Sequence, residues 1–195
     1  MWGVSSRPRV GEDRIGDAAH VALCGPEVVL ATVDGLGHGR EAARAAERAI
    51  EEVTRHLDED VITLMRRCHE ALQPTRGAVL SLVRIAPAAE TLTWIGVGNV
   101  SGVVIRADKA LDPPRENLLL RGGVVGYHLP ALAATVLPVK AGDMVILATD
   151  GIDPAFATEQ FPWLDPQQVA ERLLQRFGNA DDDALVLVGQ YQGAA

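Results

Sequence analysis

A chain of 195 residues, 48% hydrophobic and 23% charged, has the profile of one folded globular unit with a well-buried core, not of a disordered chain. Its 26 aspartates and glutamates against 18 lysines and arginines give a formal charge of -8, which argues against a partner gripped through its phosphate backbone, so no nucleic acid is expected. No apolar run reaches the roughly 18 residues of a membrane-spanning helix and the start MWGVSSRPRV lacks a signal-peptide core, so a cytoplasmic protein with no membrane partner is expected.

Met1 to Arg9, with Pro8 and several small polar residues, reads as a flexible terminus ahead of a single domain over residues 10–195. Ala18–Leu23 and Val28–Val33 read as a hairpin turning at Cys24-Gly25-Pro26. From Arg40 the period changes, with Ala42, Ala46, Ala49, Val53 and Leu57 marking a helix, and a second helix runs from about Glu59 to Leu72. Strands follow at Ala78–Ile85, Thr91–Val97, Val100–Ile105, Leu118–Leu120, Ala133–Leu137 and Met144–Ala148. Asp165-Pro166 starts a third helix with Val169, Ala170, Leu173, Leu174 and Phe177 on its apolar face, and Ala184–Val188 is a last strand. This order is not a βαβ alternation. Two mostly antiparallel sheets packed face to face and flanked by helices, an α+β sandwich, account for it, because each helix has one apolar face to bury. Cys24 and Cys68 have no partner at metal-binding or redox spacing and read as buried, reduced thiols.

The chemistry rests on separated aspartates. Asp34 and Asp150 each end an apolar strand and precede a glycine, Asp17 follows Gly16, and Asp181 heads the last strand. If those strand ends are neighbours, several carboxylates meet, and their repulsion is relieved by hard cations held through oxygen, magnesium or manganese rather than zinc. An isolated Asp-Gly is usually only a turn; the set of four is the signal. In Asp34-Gly35-Leu36-Gly37-His38-Gly39 the glycines permit close backbone approach to a ligand, without the lysine of a nucleotide P-loop. His38 reads as a ligand, a proton-transfer group or a conformational anchor. Arg76 reads either as a contact for phosphate or as a surface pair, and Gly98 and Asn99 as a bulge or turn near the site.

In order, Gly16-Asp17, Asp34-Gly35-Leu36-Gly37-His38-Gly39, Thr75-Arg76-Gly77-Ala78, Gly96-Val97-Gly98-Asn99, Ala148-Thr149-Asp150-Gly151-Ile152 and Asp181-Asp182-Asp183-Ala184 resemble the motifs of the PPM/PP2C phosphatase superfamily, in its SpoIIE-like branch, near the small RsbX-type stressosome phosphatases. The resemblance spans almost the whole chain. It implies an αββα sandwich with a centre of two ions, Mn2+ or Mg2+, held by Asp17, Asp34, Asp150 and Asp181, with the Gly35 carbonyl as a further ligand and Asp182 as the neighbouring choice within the triplet. The same four aspartates are then the catalytic set. It implies direct hydrolysis of phosphoserine or phosphothreonine without a covalent phosphoenzyme, on a bacterial signalling partner such as a phosphorylated STAS-domain protein of a stressosome. Two positions depart from the family pattern. Arg14 does not match the arginine that larger relatives use for phosphate, and Ala18-Ala19-His20 stands where many relatives carry a second acid, with His20 as a candidate substitute. A catalytically weak or inactive regulatory binding module is the alternative, although such a module has no need of all four aspartates. A metal-dependent nuclease or small-molecule phosphoesterase is a third chemistry, the nuclease disfavoured by the acidic balance.

Overall fold

The run Val29-Leu30-Ala31-Thr32-Val33 is apolar or small at every position, and the fold explains why. Its strand is buried on both faces. The computed structural model describes residues 1–160 and 165–193. In chain order its strands and α-helices are β1 (Trp2–Arg7), β2 (Asp17–Cys24), β3 (Glu27–Gly35), α1 (Gly39–Arg55), α2 (Val61–Leu72), β4 (Ala78–Ala86), β5 (Thr91–Val97), β6 (Ser101–Ile105), β7 (Arg115–Asn117), β8 (Thr135–Pro138), β9 (Met144–Ala148), α3 (Pro166–Phe177) and β10 (Ala184–Gln190). The strands form two antiparallel five-stranded sheets, ordered β1-β10-β9-β6-β7 and β2-β3-β4-β5-β8.

Three apolar layers hold four structural layers together. Val29, Ala31 and Val33 point from β3 to one side and meet Ala45, Ala46, Ala49 and Val53 of α1 and Leu64, Met65 and Leu72 of α2. Leu30 points to the other side and joins Val83, Trp94, Leu147 and Leu187 between the sheets. Beyond the second sheet, Ile146, Val186 and Val188 pack against Val169, Ala170 and Leu173 of α3. Each fully buried Leu or Ile contributes roughly 1.5–3 kcal/mol, so three continuous layers outweigh any single polar contact. The small residues of α1 let it lie close to the sheet. The helix starts are fixed locally: the Asp60 carboxylate accepts the Ile62 and Thr63 amides, and Asp165 and Gln168 form a capping box around Pro166. The expected αββα sandwich is the observed fold.

Three local expectations are corrected. Met1–Arg9 is not a loose terminus: Trp2–Arg7 is strand β1, paired along β10 from Trp2 opposite Gly189 to Arg7 opposite Ala184. The Gln167 side chain of α3 accepts the Val4 amide and donates to the Val4 carbonyl, both at 3.0 Å. This strand is specified by partners far along the chain, so its own short mixed pattern carries little signal. Leu118–Leu120 is not a strand; the ladder with β6 runs through Arg115–Asn117, and Leu119 faces solvent at 80% exposure. Cys68 is buried as expected, but Cys24 at the end of β2 is only partly so; both are free thiols. Among the described residues no helix is long and apolar enough to cross a membrane.

Candidate metal centre

Register brings the first two carboxylates together. In the antiparallel β2–β3 ladder Asp17, the first residue of β2, lies directly opposite Asp34, the penultimate residue of β3. Like charges on directly opposed residues destabilise a sheet, so this pairing needs a compensating interaction. The second sheet supplies two more at the same end of the sandwich. Asp150 follows β9 by two residues and Asp182 precedes β10 by two, and those strands are neighbours, with Ala148 opposite Val186. Asp34, Asp150 and Asp182 line one cleft of about 540 Å³ with Leu36, Gly37, Val79, Gly98, Asn99, Gly122 and Gly123. A larger cavity of about 840 Å³ lies between Leu30 and Gly189 near the β2–β3 turn, and no carboxylate or imidazole lines it.

The sheets are joined across the site by one threonine. Thr149 donates its hydroxyl to Asp17 Oδ2 at 2.7 Å and accepts the Leu185 amide at 2.9 Å. Asp17 is 5% exposed. Burial pushes its carboxyl up to about 7 against the Thr149 hydrogen bond, with Asp183, Asp150 and Asp182 adding repulsion. Asp34 also stands well above the usual carboxylate range, through burial first, then the charges of Asp17, Asp150 and Asp182 and a hydrogen bond shared with Asp150. Asp182 is raised by burial and by Asp150. The Asn99 amide donates to Asp150 Oδ2 at 2.7 Å and so fixes that carboxylate's direction.

Not every sequence candidate sits in the cleft. Within the triplet, Asp181 is exposed and its amide is taken by the Asn179 side chain, whereas Asp182 faces the cleft. The third aspartate is buried and structural: Asp183 accepts the Gly16 amide at 2.7 Å and the Arg9 amide at 2.8 Å, tying the approach to β2 onto the head of β10. His38 precedes α1 and pairs with Glu12 at 2.6 Å, so it acts as an anchor for the segment before β2 and does not line the cleft. His20 lies inside β2 opposite Ala31, and its odd offset from Asp17 turns it to the other face of the sheet. Gly35 follows Asp34 directly, and a Cβ there would stand 2.1 Å from the Ala42 carbonyl oxygen, so only glycine lets α1 close over the end of β3. Sequence reasoning missed Thr149 and Asp183 and gave Asn99 only a structural role. Thr149 lies inside the quoted Ala-Thr-Asp-Gly run, so adjacency to Asp150 was its available signal.

The donor set suits hard divalent cations. It is all oxygen, it crowds carboxylates that burial and mutual repulsion leave reluctant to ionise, and it opens to a cleft. Among the described residues no three His, Cys, Asp or Glu side chains form a closed cage around one point. Asp17, Asp34, Asp150 and Asp182 nonetheless act on one another electrostatically, and Asp34 and Asp150 share a hydrogen bond.

Residues 25–192 match the family model described as Stage II sporulation protein E (SpoIIE). The chain is 31% identical over 181 residues to the phosphoserine phosphatase RsbX of Bacillus subtilis (strain 168), covering 92% of this chain and 89% of that protein. It superposes with a TM-score of 0.86 on a chain from a structure of the bacterial stressosome, described as a modular system adapted to control secondary messenger signalling, at 30% identity over 96% of this chain and 97% of that one. A crystal structure of RsbX in complex with magnesium matches with a TM-score of 0.84 and 23% identity, over 96% and 92% of the two chains.

Proposed function

The chain belongs to the SpoIIE family, with the fold and relatives of a PP2C-type protein serine/threonine phosphatase, and from that premise we propose that it hydrolyses phosphoserine or phosphothreonine on a STAS-domain protein of a bacterial stress-signalling assembly. The observation that carries this reading is the meeting of Asp34 from one sheet with Asp150 and Asp182 from the other at one cleft, while Asp17, directly opposite Asp34 in the ladder, is buried and does not line it.

In this reading Asp17, Asp34, Asp150 and Asp182, with the Gly35 carbonyl, hold two magnesium or manganese ions. Bound there, the cations supply Lewis acidity and a water of lowered pKa. The protein's own groups set the geometry. Thr149 keeps the Asp17 carboxylate aimed along the boundary between the sheets, and Asn99 does the same for Asp150. Asp183 fixes the backbone at Gly16 that presents Asp17. Asp17 and Asp34 are paired in one ladder, and Asp150 and Asp182 flank the ends of two neighbouring strands of the other sheet, so the fold positions the site before substrate arrives, which is where electrostatic catalysis has its advantage. The magnesium complex of RsbX and its name as a phosphoserine phosphatase support the cation and the reaction class.

The test is release of phosphate from purified, serine-phosphorylated STAS-domain protein by the full chain, with manganese, with magnesium and after chelation. Release that requires the cation is expected. No release from any phosphorylated STAS domain under any metal condition overturns the reading and leaves a catalytically inactive binding module in its place.

A further inference from the structure

A phosphoryl group carries negative charge into a cleft whose own ionisable side chains are carboxylates. Cations held by those carboxylates would neutralise the inner part of the site, and the outer phosphoryl oxygens would still need donors. The Arg76 guanidinium stands beside one wall of that cleft. Gly37 lines the cleft with Asp34, Asp150 and Asp182, and a Cβ built on Gly37 would lie 2.9 Å from Arg76 Nη1. Glycine at 37, with φ +95°, therefore leaves room for the arginine head against the cleft wall.

The backbone that carries Arg76 is fixed on both sides. Thr75 donates its hydroxyl to the Leu72 carbonyl at 2.6 Å and accepts the Gly77 amide at 3.0 Å. The Gly77 carbonyl then accepts the Leu36 amide at 3.0 Å, which locks the arginine's turn to the loop that follows Asp34. Yet the side chain itself is exposed and makes no hydrogen bond or ion pair with any described residue. Several other arginines are occupied, among them Arg67 by Glu59, Arg84 by Glu27, and Arg106 by Asp143 and Glu116; Arg9 and Arg14 are exposed like Arg76, and the Arg9 charge reaches Asp182.

We propose that Arg76 anchors the phosphoryl group of the substrate, its planar fork donating to the oxygens that face away from the carboxylates. This rests on the phosphatase reading and names the side chain that recognises the phosphate. It also gives the chain a phosphate ligand from the turn after α2, distinct from the arginines before β2. Lysine at 76 keeps the charge but loses the paired, planar donors, so it is an incomplete substitute.

The test compares wild type, Arg76→Ala and Arg76→Lys in two assays, with magnesium affinity and thermal unfolding measured alongside. The first is calorimetric titration of inorganic phosphate into the magnesium-loaded protein; the second is kcat/KM on a serine-phosphorylated STAS domain. Arg76→Ala should lower phosphate affinity and kcat/KM each by roughly 10- to 100-fold, with magnesium affinity and melting temperature unchanged. Arg76→Lys should recover part of both losses. Phosphate binding by Arg76→Ala as tight as by wild type overturns the assignment whether or not wild type turns over substrate, as does a loss explained by weakened magnesium binding. Wild type that binds phosphate through Arg76 without turnover supports the anchor and removes the phosphatase reading alone.

Discussion

Asp182 and Asp181 are adjacent, chemically identical and placed at opposite roles by one step of backbone. Asp182 lines the cleft and feels the charge of Asp150; Asp181 is exposed at the turn capped by Asn179. Asp182→Asn is therefore expected to cut metal-dependent phosphate release by at least about 100-fold, the effect of losing one strong electrostatic contact at a reacting centre. Asp181→Asn should stay within about twofold of wild type, since exposed substitutions away from such contacts shift stability by no more than about 0.5 kcal/mol. Parallel kinetics on the two variants check this, and the reverse ranking would restore Asp181 as the ligand. The pair also marks where sequence reasoning stops. Asp34 and Asp150 were legible because each closes an apolar strand before a glycine. The triplet was not, because three equal side chains carry no internal mark. What separates them is register against Gly16, Arg9 and Asn179, which are distant in sequence or outside any motif.

At the scale of elements, the helices and central strands follow from local pattern, whereas the edges follow from tertiary contacts. The alanine stripe of α1 and the apolar run of β3 announce themselves; β1 and the three-residue β7 do not. Strand β1 matters to the site because it covers the edge of β10, whose head presents Asp182. It lies close under α3: a Cβ on Gly3 would stand 2.3 Å from the backbone of Gln167, with no flexible side chain to give way. Gly3→Ala should cost about 1–3 kcal/mol of stability, the usual penalty for overfilling a packed layer. Denaturant unfolding checks this. A change below about 0.5 kcal/mol would mean that β1 is held far less tightly than its pairing indicates.

For the molecule as a whole, the gathered carboxylates resist ionisation, and that resistance is linked to stability. Asp17 has an ordinary value of 3.8 and about 7 in the folded, metal-free chain. Between those values the unfolded chain releases a proton that the folded chain keeps, so stability falls as pH rises, and with Asp34 raised to about 8 it levels off only above about pH 8. Asp34, raised in the same direction, adds to the slope. Glu59 and Asp60, held below their ordinary 4.5 and 3.8, act the other way, but their gain is complete by about pH 4.5. Chelator-treated protein should therefore lose melting temperature from about pH 5 to pH 7, by an amount on the order of a few kcal/mol in stability. Manganese should reverse most of that loss, and Asp17→Asn should flatten the slope. A melting temperature that stays level or rises over this interval would contradict the crowding of carboxylates.

The decisive measurement is calorimetric titration of manganese into metal-free wild type and Asp34→Asn, with thermal unfolding of both metal-free proteins beside it. Asp34 lies opposite Asp17, shares a hydrogen bond with Asp150 and feels Asp182, and unlike Asp17 it lines the cleft, so its carboxylate touches every part of the cluster. The amide has nearly the same size without the charge, and removing one anion eases repulsion in the empty site. Wild type is expected to bind manganese in the cleft, and Asp34→Asn to lose at least about 10- to 100-fold in affinity while remaining folded with an equal or higher melting temperature. Equal manganese affinity in the two proteins, with the variant fully folded, would contradict a metal centre built on these aspartates.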